Sequence, residues 1–84
     1  MQHYFGVDLG KREDFSALAM IEHDVGQPQA PYNVRWLWRW PRETDYRTVV
    51  AHTAQWMARV SPGQRALVVD ASGVGDAVVE MFIA

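Results

Sequence analysis

The chain has 84 residues, 49% of them hydrophobic, which is enough for one domain with a modest core. Eight basic and ten acidic side chains leave a net charge of -2, so no global positive field advertises nucleic acid, although local patches stay open. Without cysteine there can be no disulfide, thiolate nucleophile or cysteine-ligated zinc or iron–sulfur centre, so any metal must take oxygen or imidazole ligands.

His3 to Leu9 is rich in aromatic and branched residues and stops at Gly10, which predicts a first strand. Lys11, Arg12, Glu13 and Asp14 then form a mixed-charge turn. Ser16 to His23 is apolar on both faces over Ala17-Leu18-Ala19-Met20-Ile21, so a strand returning antiparallel is expected rather than a helix. Gly26 to Pro31 reads as a loop, and a third strand follows from Tyr32 to Trp40. In it Val34, Trp36, Trp38 and Trp40 are expected on one face, with Arg35, Leu37 and Arg39 on the other. The tryptophans are expected to pack beneath a helix; stacking on unpaired bases is the alternative.

That helix is marked by Tyr46, Val49, Val50, Thr53, Trp56, Met57 and Val60 at three- and four-residue spacing, with Thr44 or Asp45 as cap. Ser61-Pro62-Gly63 breaks it. Ala66 to Val69 is a continuous apolar run of the kind found in covered parallel strands. A second helix is expected from Gly75 or Asp76, with Val78, Val79 and Phe82 or Ile83 turned inward. No apolar stretch approaches the ~20 residues needed to span a bilayer, and no secretory leader is apparent, so a soluble chain is expected, with no membrane partner. His3, His23 and His52 have no metal-binding spacing.

Two segments repeat a pattern. Tyr4-Phe5-Gly6-Val7-Asp8-Leu9-Gly10 and Ala66-Leu67-Val68-Val69-Asp70-Ala71-Ser72-Gly73-Val74-Gly75 each end an apolar run in an aspartate closely followed by glycine. Two hairpins followed by a crossover can place the fourth strand beside and parallel to the first. Asp8 and Asp70 would then emerge side by side at the strand ends, where sites of open α/β sheets collect. Two such carboxylates repel unless a cation lies between them, and oxygen-only ligands favour magnesium or manganese. Each residue also has an ordinary structural reading. Asp8 can cap its turn, Asp70 can brace the loop of Ser72 and Gly73, and Gly73 and Gly75 can supply special backbone angles. Lys11 can be a solvated hairpin tip. Phosphate or substrate contact by Lys11, Ser72, Gly73 and Gly75 is the functional counterpart.

These motifs, with Ser16-Ala17-Leu18-Ala19 opening the second strand and Asp76-Ala77-Val78-Val79 opening the last helix, resemble the ribonuclease H-like superfamily. Within it, they are similar to the nuclease domain of phage terminase large subunits. The resemblance covers nearly the whole chain. It implies an α/β mixed sheet in which strands 1, 2 and 3 are antiparallel and strand 4 is parallel to strand 1. It also implies magnesium- or manganese-dependent endonuclease cleavage of DNA during genome packaging, in a phage- or prophage-encoded protein of the bacterial cytoplasm. Asp8 and Asp70 match two of the family's acidic metal ligands. The third acid, the last strand and the closing helix have no counterpart here, so a fragment is expected, whose apolar strand 4 edge would accept a partner chain or a second copy. Actin-like ATPases and sugar kinases share strand-ending aspartates and glycines, so a nucleotide-binding half is the alternative, as is a non-catalytic assembly remnant of the same fold.

Overall fold

The computed structural model describes residues 1–11 and 13–83; Arg12 of the mixed-charge turn lies outside the described residues. The elements in chain order are β1 (Gln2–Asp8), β2 (Ala17–His23), β3 (Asn33–Arg39), α1 (Tyr46–Met57), a short 3-10 helix (Pro62–Gln64), β4 (Arg65–Asp70) and α2 (Asp76–Ile83). The strands form one mixed sheet in the order β3-β2-β1-β4, with β1 antiparallel to β2, β2 antiparallel to β3, and β1 parallel to β4. The expected α/β class and the parallel pairing of the first and fourth strands are both present.

Alternation along the strands divides the sheet into two unlike faces. Phe5, Val7 and Leu18 are buried on one face, where Met20, Trp36, Leu67 and Val69 pack around them. Val49 of α1 and Val78 of α2 belong to the same core cluster, so both helices cover this face. On α2 it is Phe82 that packs inward, whereas Ile83 is 78% exposed. The opposite face is open: Val34, Leu37 and Val68 are each more than half exposed, and Gly6, Ala17 and Ala19 leave little side chain between Leu37 and Val68.

α1 starts at Asp45, whose carboxylate accepts a hydrogen bond from the Arg47 amide at 2.8 Å. The guanidinium of Arg65 donates to the carbonyl oxygen of the last α1 residue, Met57, at 2.6 Å and to that of Val60, just beyond the helix, at 2.9 Å. A cation at this negative end of the helix dipole joins the start of β4 to the end of α1.

The tryptophan row packs against α1, as its spacing predicts. Trp36 meets Trp56 edge-on at 4.3 Å, and Trp40 stacks on Trp56 at 5.6 Å. Trp40 is 1% exposed, and its indole N–H donates to His52 Nδ1 at 2.9 Å, so the large buried ring leaves no polar atom unpaired. The strand departs from simple alternation at one place. Met20 pairs with Trp36 and Ile21 with Val34, so Arg35 is an extra residue in a β-bulge. The bulge turns Val34 to the open face with Ile21 and brings Arg35 to the helix side, where it forms an ion pair with Glu22. This corrects the expected placement of both residues. His3 Nε2 lies 2.7 Å from the same Glu22 carboxylate. The Arg35 hydrogen bond, reinforced by His3, holds Glu22 below the usual carboxylate range.

Truncating Trp40 to alanine is expected to cost about 3–5 kcal/mol, because it opens a cavity where α1 meets the sheet. His52→Ala is expected to cost less, about 1–3 kcal/mol, by stranding the indole N–H. Urea unfolding of the two variants beside the parent chain checks the size and the order.

Candidate functional site

The parallel β1–β4 ladder runs from His3 opposite Arg65 to Asp8 opposite Asp70. The two aspartates are therefore direct cross-strand partners at matched strand ends, with Cα atoms about 4.8 Å apart by ordinary sheet geometry. The Leu9 amide donates to the Asp70 carbonyl oxygen at 3.0 Å and extends the pairing one residue past the carboxylates. Both side chains are exposed and lie on the open face of the sheet, at one end of the shallow trough floored by Gly6, Ala17 and Ala19.

Asp70 is braced from one side only. Its Oδ1 accepts the Ser72 hydroxyl at 2.7 Å and the Ser72 amide at 3.1 Å, while Oδ2 has no hydrogen bond among the described residues. The Ser72 hydroxyl, and secondarily its amide, hold the Asp70 carboxyl below its usual range, so it stays ionised beside Asp8. Ser72 thus orients a metal-capable carboxylate and engages one oxygen, which places this residue in a supporting position.

The turn after β1 is fixed by the rest of the fold. The Gly10 amide donates to the buried Ser16 hydroxyl at 3.0 Å, and its carbonyl accepts the Tyr46 hydroxyl at 2.5 Å. A Cβ at Gly10 would lie 2.6 Å from the Asp14 carbonyl oxygen, so only glycine fits there. On the far side of the carboxylates, Gly73 and Gly75 take left-handed backbone angles, φ 79° and 88°. The side chain of Lys11 lies in the space that a Cβ on Gly73 would occupy. Lys11 and Gly73, from turns 62 residues apart in sequence, are thus neighbours across the end of the β1–β4 pair. Gly75 has open space where a side chain would be, and no ligand-facing role follows from its geometry.

The structure therefore brings Asp8, Asp70, Lys11, Ser72 and Gly73 to one end of the sheet. Among the described residues no group of three or more His, Asp or Glu side chains is placed to hold a metal, and Asp8 and Asp70 stand as a pair. Such a pair fits magnesium, which keeps several of its waters and often takes only one or two carboxylates together with substrate phosphates. Sequence reasoning did not assign Ser16 and Tyr46 their part in fixing the β1 turn. A buried serine next to a tight turn and a tyrosine at a helix start carry no motif, and only the packed fold brings them together.

No protein-family model, curated protein or solved structure matches the chain. No helix among the described residues is long and apolar enough to cross a membrane.

The brace on Asp70 has a pH signature. Because the folded carboxyl titrates below its unfolded value, its stabilising contribution is complete above the unfolded pKa and fades as pH falls through the folded one. Carbon-detected NMR is expected to show the Asp70 carboxyl midpoint below that of an ordinary exposed aspartate. In Ser72→Ala the midpoint should move back up, since both the hydroxyl bond and the geometry that presents the amide are disturbed.

Proposed function

We propose that this chain carries part of a metal-dependent endonuclease site of ribonuclease H-like type, similar to that of phage terminase large subunits, acting on DNA phosphodiesters during packaging. The observation that carries the reading is the register of β1 and β4, which makes Asp8 and Asp70 direct partners at the end of neighbouring parallel strands. The strand order β3-β2-β1-β4, with α1 as the crossover, supports the superfamily assignment.

In this reading Asp8 and Asp70 would hold a magnesium or manganese ion, and Ser72 fixes the orientation of Asp70. A divalent ion there would supply an activated water or charge stabilisation at the leaving oxygen. Lys11, laid against Gly73, supplies a positive charge beside the pair and is suited to a phosphate oxygen of the substrate. The exposure of both carboxylates leaves room for metal-bound waters and for the strand to be cut. β4 lies at an edge of the sheet, and its free backbone groups support pairing with a strand from a partner chain or a second copy.

The nucleotide-binding alternative needs the backbone around Gly10 to face phosphates. That backbone is already engaged, the amide by Ser16 and the carbonyl by Tyr46, which favours the nuclease reading. A non-catalytic remnant would keep the fold without binding a cation.

Manganese is expected to broaden the NMR signals of Asp8, Asp70 and their neighbours selectively. Magnesium or manganese is expected to support nicking of supercoiled plasmid. Asp8→Asn should abolish the nicking and weaken manganese binding at least tenfold. Manganese binding and nicking both absent from the parent chain would leave the remnant, and ATP binding without nicking would favour the nucleotide-binding half.

A further inference from the structure

The open face carries a second polar feature in line with the carboxylates. Asp70 pairs with Asp8, Asp8 with Ala17, and Ala17 with Arg39, so one row of the ladder crosses the sheet from β4 to β3. Residues in such a row share a face, and the flanking Trp38 and Trp40 point to the helices, which leaves Arg39 on the open face with the aspartates. Only the methyl group of Ala17 separates Asp8 from Arg39 along the row. Two strand spacings put their Cα atoms about 10 Å apart.

Arg39 is not alone there. Its guanidinium carbon lies 4.1 Å from the centroid of the Phe15 ring, and that of Arg42 lies 4.9 Å from the same centroid. Phe15 is 37% exposed at the end of the β1–β2 turn. Its placement is fixed by the neighbouring residue: Ser16 is buried, accepts the Gly10 amide through its hydroxyl and the Trp40 amide through its carbonyl. Two guanidinium groups thus converge on one aromatic ring, which attracts each cation and restricts its rotamers. Neither forms an ion pair with a carboxylate among the described residues, whereas Arg35 on the same strand does. Like charges gathered without an acidic partner gain most from a bound anion, and guanidinium forks match phosphate oxygens.

We infer that Phe15, Arg39 and Arg42 form a clamp for the phosphodiester backbone of a nucleic-acid strand, one that leads the strand across the trough to Asp8 and Asp70. The clamp rests on the nuclease reading for its purpose, but its binding does not require the metal. The ~10 Å from Asp8 to Arg39 puts the clamp on a phosphate close to the one at the carboxylates. The clamp therefore holds the backbone near the scissile bond, across Ala17 from the carboxylate pair. Its contacts are to phosphates and carry no sequence preference.

The test is fluorescence anisotropy with a labelled 20-base-pair DNA duplex in EDTA, where no cleavage occurs, over a series of salt concentrations. Each phosphate contact contributes about 0.9 to the slope of log affinity against log salt. Arg39→Gln/Arg42→Gln is expected to reduce the slope by about 2 and to weaken binding at low salt at least tenfold. Arg39→Lys/Arg42→Lys, which keeps the charge, should keep most of the slope, as should Phe15→Leu, with several-fold weaker binding because the guanidiniums lose their platform. An unchanged slope in the double glutamine variant overturns the clamp, as does a parent chain whose DNA binding is independent of salt. Circular dichroism melts separate loss of binding from loss of fold, and if the glutamine variant unfolds, the lysine and leucine variants decide: undiminished affinity in both overturns the proposal. Asp8→Asn in EDTA should bind at least as tightly as the parent. If plasmid nicking fails in the parent while the arginine-dependent slope is present, the nuclease reading falls and the clamp stands; nicking with an arginine-independent slope has the reverse meaning.

Discussion

The parallel pairing of β1 with β4 is the constraint on which the candidate site depends, because these strands are far apart in sequence, with a hairpin, a third strand and a helix between them. Parallel strands need such a crossover, and each added residue of the loop costs closure entropy before any contact offsets it. The compensation is on the helix side of the sheet. Phe5 and Val7 of β1 and Leu67 and Val69 of β4 lie in register and pack together beneath the helices. Arg65 adds the polar part of the same joint by binding the carbonyls at the end of α1. With period-two alternation, fixing those four apolar residues inward forces Asp8 and Asp70 outward and opposite one another. A slip of one residue would put an aspartate into the core, so the packing that stabilises the fold also sets the carboxylate pair.

The electrostatics of the pair follow from its position. Two exposed carboxylates at adjacent strand ends repel, but water screens them, and Ser72 stabilises the charge on Asp70 through two hydrogen bonds to a single oxygen. A cation held between them would relieve the repulsion that remains. Lys11 against Gly73 brings one positive charge to this end of the sheet, and Arg39 at the other side of Ala17 brings another. On the proposed nuclease reading, an acidic pair with cations nearby would suit an anionic substrate and a divalent metal. The net charge of the chain, -2, hides this local order.

Much of this arrangement could be read from the sequence, and the reasons differ by element. The α1 stripe from Tyr46 to Met57 was legible because a half-buried helix repeats its apolar residues every three or four positions. The strand-aspartate-glycine echo gave the ends of β1 and β4, since buried parallel strands are short apolar runs closed by turn residues. The β-bulge at Arg35 was not legible. It leaves no composition signal, and it shifts Val34 to the open face by inserting one residue whose charge finds Glu22. The Trp40–His52 bond was hidden for a related reason: a helix and a strand must dock before a lone histidine acquires a partner. The juxtaposition of Asp8 and Asp70 was legible from pattern plus topology, but the meeting of Lys11 with Gly73 depended on two loop conformations that side-chain periodicity does not encode. Arg39 could have been found, since β3 alternation sets it opposite the tryptophans and the strand order then brings it into the aspartate row.

The two faces of the sheet also explain why the chemistry gathers where it does. Large aromatic side chains from β3 and α1 fill the helix side, with Trp36, Trp38 and Trp40 all reaching Trp56. The central strands carry glycine and alanine on the other side, so the backbone of β1 and β2 is approachable there from outside. Small residues in mid-strand forgo packing that larger ones would supply, and such positions often mark the close approach of another backbone or a ligand. Here the trough they form has the carboxylate pair and Arg39 at the same end. A polyanionic strand lying along that row would meet the arginine, pass over the methyl group of Ala17 and reach the carboxylates without displacing any packed side chain. The absence of bulk at Ala17 therefore matters as much as the charges on either side of it: a larger residue would stand between the arginine that would bind the backbone and the pair that would hold the metal.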